Sequence, residues 1–222
     1  MTGMHSKPYK GMPMEGLIAT WYAKNTSRDT RRFHTAAQAV AERTEPGSAV
    51  LEVAPGPGYL AIAIAKSGRH VTTLDISTSF VQIARENAKR AAVAVDVRHG
   101  NAAAMPFADA SFDFVVCMAA FKNFTDPVGA LNEIHRVLKP GGQASIYDLR
   151  RDAPPRDIDA EIRDMHLSAW SSLLTRWIFR FWLLKKAYTR EDLERMAQES
   201  RFRHCEITSE GIGFELRLTK AN

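Results

Sequence analysis

A chain of 222 residues holds one domain, with or without an insertion, and at this size needs neither disulfide nor metal to fold. Its 45% hydrophobic and 25% charged residues are those of a globular protein and exclude a disordered or fibrous chain. The net charge of +5 gathers at the two ends with no Lys/Arg stripe interleaved with aromatics, which argues against nucleic acid as a partner.

The two cysteines, Cys117 in an apolar run and Cys205 before Glu206-Ile207, read as small buried hydrophobes. Neither has CxxC or Cys/His spacing, so no disulfide framework and no metal are expected. The N-terminus lacks the apolar stretch of a secretory signal, and no run approaches the roughly 20 residues of a membrane span. A cytoplasmic location follows as the expectation.

Residues 1–16, rich in Met, Gly, Pro and Lys, read as mobile. Leu17–Tyr22 and Phe33–Arg43 read as helices, and Glu45-Pro46-Gly47-Ser48 as a turn. Ala49–Val53 reads as a first strand. It runs into Pro55-Gly56-Pro57-Gly58 and then a helical pattern to about Lys66. His70–Leu74 predicts a second strand closed by Asp75, followed by a helix over Phe80–Ala91 capped by Ser77 or Ser79. Val93–Arg98 is a third strand. Phe112–Met118, apolar on both faces, is a central fourth strand. Pro127–Leu138 predicts a helix ended by Lys139-Pro140-Gly141-Gly142, before a fifth strand over Gln143–Leu149. Thr189–Ser200 reads as a helix with Thr189 and Asp192 placed as a capping box. Glu206–Thr208 and Phe214–Leu218 close the pattern as an antiparallel pair. The alternation predicts an α/β, doubly wound, mostly parallel sheet.

The strand-to-glycine-to-helix run brings bare backbone and a helix N-terminus close to a ligand. Gly56-Pro57-Gly58-Tyr59-Leu60-Ala61 satisfies a dinucleotide fingerprint, which nicotinamide cofactors and S-adenosylmethionine share, and which a plain tight turn also satisfies. Glu52, four residues before Gly56, adds an acid that a pyrophosphate site does not need and points to an amine-bearing ligand. Asp75 is placed to accept hydrogen bonds from ribose hydroxyls, or to cap a turn. Asn101 has a side chain that can donate to and accept from an adenine edge, or make a turn.

Gly100-Asn101-Ala102 with Met105-Pro106-Phe107 and Ser111-Phe112-Asp113 resembles a G-[DN]-A…[LM]-PF…SFD pattern. Glu133-Ile134-His135-Arg136-Val137-Leu138-Lys139-Pro140-Gly141-Gly142 resembles an E-x-x-R-V-L-K-P-G-G stretch. Over residues 48–149 the chain resembles the class I S-adenosylmethionine-dependent methyltransferase family, in its ubiquinone/menaquinone and small-molecule branch. The resemblance implies a Rossmann-like seven-stranded sheet with helices on both faces and an antiparallel C-terminal strand. It implies S-adenosyl-L-methionine as cofactor and S-adenosyl-L-homocysteine as product. It places Glu52 near the methionine amino group, Gly56 and Gly58 along the cofactor, Asp75 on ribose, Ile76 on the adenine face, Asn101 and Ala102 beside the base, and Ala119 to Phe121 at the methionine end. Tyr22, in a segment resembling an A-x-W-Y start, is a candidate for cofactor or acceptor contact, or a packing aromatic. His166 is the candidate base for an acceptor that needs one.

The expected organisation is a helical N-terminal cap over 1–45 and a methyltransferase domain over 46–222, with a helical insertion at about 152–187. Trp170, Trp177 and Trp182 recur at helical spacing within 165–187 among Arg and Lys. That segment reads as a packing helix at the sheet or in a homodimer, as a lid over an apolar or aromatic small-molecule acceptor, or as a membrane-surface helix. The alternatives to a methyltransferase are a nicotinamide-dependent reductase and a non-catalytic cofactor-binding or interaction protein.

Overall fold

Seven strands form one sheet in a computed structural model that describes residues 9–10, 14–26, 30–164 and 184–222. Five are parallel: β1 (Ala49–Val53), β2 (His70–Asp75), β3 (Val95–His99), β4 (Phe112–Met118) and β5 (Leu138–Leu149). The last two, β6 (Glu206–Glu210) and β7 (Gly213–Thr219), are antiparallel, and the order is β3-β2-β1-β4-β5-β7-β6. This is the α/β, Rossmann-like class that the alternation and the resemblance predict.

Alternate residues of β1 and β4 face opposite layers. Val50, Phe114 and Val116 pack with Leu60, Ala61 and Ile64 of α3 (Tyr59–Lys66) and with Ala36, Ala37 and Val40 of α2 (Thr30–Ala41). Leu51, Val53, Val115 and Cys117 pack on the other side with α5 (Pro127–Val137) and α7 (Arg190–Glu199). Burial on both faces is why these strands read as continuous apolar runs. The N-terminal segment is therefore built into one layer through α2. α1 (Gly16–Thr26) contributes the buried Ala19 and Ala23 and packs toward α4 (Thr78–Arg90).

Polar side chains fix the connections. Asp113 accepts from the Ala49 backbone N–H at 2.8 Å and from Lys139 Nζ at 2.7 Å, binding the starts of β1, β4 and β5. Arg136 donates to Glu133, Asp109 and the Met105 and Phe107 carbonyls, while Glu133 accepts from the Met105 N–H at 2.7 Å. The Glu and Arg of the α5 motif are therefore structural, because these contacts hold the loop before β4 against the helix.

Two local expectations need correction. β5 starts at Leu138, which pairs with Phe112 before the register shifts, because Gly141 at φ +73° lets the chain bend and rejoin the sheet. The composition of residues 1–16 reads as mobile, yet Lys10 and Met14–Gly16 are hydrogen-bonded to the domain and Tyr9 bridges to Phe124. Residues 155–164 form a helix, α6 (Pro155–Asp164), at the start of the expected insertion, with Ile158 and Ile162 buried against Leu184 and Ile212. Residues 165–183, with the three tryptophans and His166, lie outside the described residues. Among the described residues, no helix is long and apolar enough to cross a membrane, and both cysteines are free thiols.

Glu215 on β7 ties α2's C-terminal end to the sheet. Its Oε1 accepts from Arg43 at 2.7 Å, Ser145 at 2.9 Å and Tyr147 at 2.9 Å, and its Oε2 accepts from Arg217 at 2.8 Å. Burial raises this carboxyl, but the four donors outweigh it and bring it down to about 2. A depressed carboxylate stabilises the fold above its ordinary range, and that stabilisation is lost as pH falls toward 2. Glu215→Gln is expected to cost about 2 kcal/mol at neutral pH, the scale of charged hydrogen bonds partly screened at a sheet surface. Urea unfolding at pH 7 and pH 3 checks this: the loss should shrink at the lower pH, and an equal loss at both would contradict it.

Candidate cofactor crevice

The chain reverses direction across the sheet between β1 and β4, the place where open α/β sheets bind ligands beyond the strand C-termini. The glycine turn after β1 lies there. Gly56 has φ +54° and Gly58 φ +79°, conformations that side chains rarely adopt. A Cβ on Gly58 would come within 3.1 Å of Ala84 Cβ, so α3 and α4 approach closely because this position is glycine. Gly58 caps α3, whose first-turn N–H groups open toward the same end.

Asp75 at the end of β2 is only 5% exposed, and both its oxygens hold backbone. Oδ2 accepts from the Gly56 N–H at 3.0 Å and Oδ1 from the Ser77 N–H at 2.8 Å. Asp75 therefore clasps the glycine turn to β2, a role its sequence position does not announce. Each oxygen keeps lone-pair capacity for ribose hydroxyls. Burial raises its carboxyl to about 6 in spite of these bonds, and the charge of Glu15 adds to the shift.

Glu52 on β1 is 2% exposed, and its Oε2 has no hydrogen-bond partner among the described residues. Burial raises its carboxyl to about 8. A hydrogen bond from the Ala61 backbone opposes the rise, and the Asp75 charge reinforces it. A buried carboxylate oxygen without a donor is rare and costly, so this one is a place for a cation or donor that the protein itself does not supply.

Tyr22 joins the site: its ring lies edge-on to Phe80 at 5.8 Å, and both rings come within 4.0 Å of the space beside Gly56. Ile76 is half-buried after β2, and its carbonyl meets His99 Nε2 at 3.0 Å. Asn101 makes a turn, with Oδ1 accepting from the Ala103 N–H at 3.0 Å, which leaves its NH2 to meet a base. Ala102 is half-buried against the core. Ala119, directly after β4, has φ +60°, a left-handed conformation. The ring of Phe121 is fully buried between Phe124 and Tyr188, so only its backbone can line a ligand. His166 is not among the described residues.

Three groups beside the crevice carry no signal in the sequence. Glu15 accepts from the Thr78 and Ser79 N–H groups at 3.0 Å each, and so caps α4 from a distant segment. Tyr9 pairs with Phe124 as an antiparallel bridge, with the Lys10 N–H donating to the Asn123 carbonyl at 2.8 Å, so this dipeptide straps the end of β4. Lys122 and Asp148 form a buried ion pair of 2.7 Å at the ends of β4 and β5.

Residues 51–146, which contain Glu52, the glycine turn, Asp75, Asn101 and Ala119, match the family described as a methyltransferase domain. Residues 51–146 are therefore a methyltransferase domain. A demethylmenaquinone methyltransferase of Listeria welshimeri is 39% identical over 110 residues, covering 48% of this chain and 47% of that protein. A demethylmenaquinone methyltransferase of Clavibacter sepedonicus is 32% identical over 136 residues, 60% of this chain and 53% of that protein. The chain thus spans about half the length of the curated relatives it matches. In fold it is similar to a candidate S-adenosyl-L-methionine-dependent methyltransferase from Methanococcus maripaludis. That likeness has a TM-score of 0.75 at 22% identity, over 99% of this chain and 98% of the other.

The methyltransferase domain has residues that suit its cofactor: an orphaned carboxylate oxygen for an ammonium group, a buried carboxylate at the end of β2 for ribose, and two left-handed glycines in the turn after β1. Asp75→Ala is expected to lose S-adenosylhomocysteine binding in calorimetry and to strip exchange protection from the Gly56 and Ser77 amides of the free protein. Weakened binding with both amides still protected would contradict the clasp.

Proposed function

We propose that this chain transfers the methyl group of S-adenosyl-L-methionine to a small, aromatic or apolar metabolite. The observation that carries the proposal is the unpartnered, buried Oε2 of Glu52 beside the Asp75-clasped glycine turn. A nicotinamide cofactor offers no ammonium for that oxygen. The relatives' names support a ring-bearing acceptor.

When bound, S-adenosyl-L-methionine supplies an activated methyl on a sulfonium. Glu52 receives the ammonium and Asp75 the ribose hydroxyls, so the cofactor's two polar ends are fixed by residues of adjacent strands, β1 and β2. Gly56 and Gly58 add no side chain of their own to the turn that borders the cofactor. The left-handed Ala119 and the Tyr9–Lys10 strap border the mouth where the acceptor enters. With the leaving group already activated, orientation and exclusion of water supply much of the acceleration, and a base is needed only for an acceptor that must lose a proton.

With a carboxyl raised to about 8, Glu52 is largely protonated at pH 7 in the free protein. Binding an ammonium favours its ionised form, so binding should release a proton. Calorimetry with S-adenosylhomocysteine at pH 7 in buffers of different ionisation enthalpy should show that release in wild type. Glu52→Gln should abolish it and weaken binding by about tenfold, the equivalent of one pKa unit. NADPH should not bind. Tight NADPH binding, or buffer-independent heats in wild type, would sink the proposal.

A further inference from the structure

Beside the crevice lies a second cavity of about 450 Å3, a volume suited to a small metabolite. Its walls carry five cationic side chains, Lys10, Lys122, Arg151, Lys185 and Lys186, against one acid, Asp192. They converge from four places in the chain: the N-terminal strap, the turn after β4, the segment after β5, and the short helix Leu184–Lys186 before α7. Lys122 pairs with Asp148 at 2.7 Å and Arg151 with Asp192 at 2.6 Å, and Lys186 is likewise engaged within the protein. Lys10 donates to the neutral phenol of Tyr188 at 3.2 Å, with its ammonium 5.5 Å from that ring's centre.

The cavity and the crevice share walls. Lys122 Nζ donates to the Ala119 carbonyl at 2.9 Å, so one residue joins the end of β4 to the cationic chamber. Lys10 lines the chamber, while its neighbour Tyr9 lies within electrostatic reach of Asp75 and Tyr22 on the cofactor side. One dipeptide thus borders both spaces. Clustered cations attract a ligand of opposite charge, and their hydrogen bonds to an oxyanion are the strong, charge-assisted kind. A wholly neutral ring would leave that field without a partner.

We propose that this cavity seats an oxyanion, a carboxylate or phosphate carried by the methyl acceptor, and so orients the acceptor toward Ala119. The inference rests on the methyltransferase reading for the word acceptor, but the oxyanion site can be tested without turnover. The full chain would be titrated with 4-hydroxybenzoate, phenyl phosphate and phenol, each with and without S-adenosylhomocysteine, in wild type, Lys185→Glu and Lys185→Arg. At least one of the two anions should bind about tenfold or more tighter than phenol, and more weakly as salt rises. Which anion binds tighter names the group. Lys185→Glu should remove that preference and Lys185→Arg should keep it. Equal binding of phenol and both anions, or a preference that survives Lys185→Glu, would overturn the proposal. Failure of S-adenosylhomocysteine to bind would instead sink the methyltransferase reading and leave the comparison of anion with phenol intact.

Discussion

The Asp75 carboxylate holds the site together. It grips the Gly56 N–H on one side and the Ser77 N–H on the other, so the turn after β1 and the start of α4 are fixed to the end of one strand. Ser77 in turn caps α4 and donates to the Met14 carbonyl, and Glu15 caps the same helix from outside. The cradle for the cofactor is therefore one hydrogen-bonded unit that runs from the N-terminal segment through β1, β2 and α4. Rigidity here is what positions an otherwise simple displacement.

Charge is placed as deliberately as backbone. Glu52 and Asp75 are buried carboxyls raised toward neutrality, an arrangement that suits a cationic ligand and disfavours another anion at that end. A short distance away, past Ala119, the sign inverts: lysines and an arginine line the second cavity. On the proposed reading, an acidic chamber would take the cofactor's amine and ribose and a basic one the acceptor, with the Lys122–Asp148 pair on the boundary. Opposite fields on the two sides would sort the two ligands into their places before any chemistry occurs.

Much of this is legible in the sequence. β1 and β4 announce themselves as apolar runs between turns, and the glycine pair, Glu52 and Asp75 stand out by spacing alone. What cannot be read there is what depends on distance in the chain. The carboxylate of Glu15 meets α4 some sixty residues on, and no local signal marks it. Tyr9 and Lys10 sit among Met, Gly and Pro, a composition that reads as loose, and are held by a backbone bridge to Phe124 that sequence does not show. Asn101 commits its oxygen to a turn, and Phe121 turns its ring into the core, because each side chain finds a nearer partner than a ligand. The Pro140-Gly141-Gly142 bend reads as a loop although the strand has already begun at Leu138.

A structure of the protein with S-adenosylhomocysteine bound would decide whether Glu52 and Asp75 hold the two ends of the cofactor. The ligand's ammonium should lie on the Oε2 side of Glu52 and its ribose hydroxyls on Asp75, with the Gly56 and Ser77 N–H bonds to Asp75 intact. A ligand seated elsewhere, or Glu52 Oε2 still without a partner in the complex, would refute that assignment.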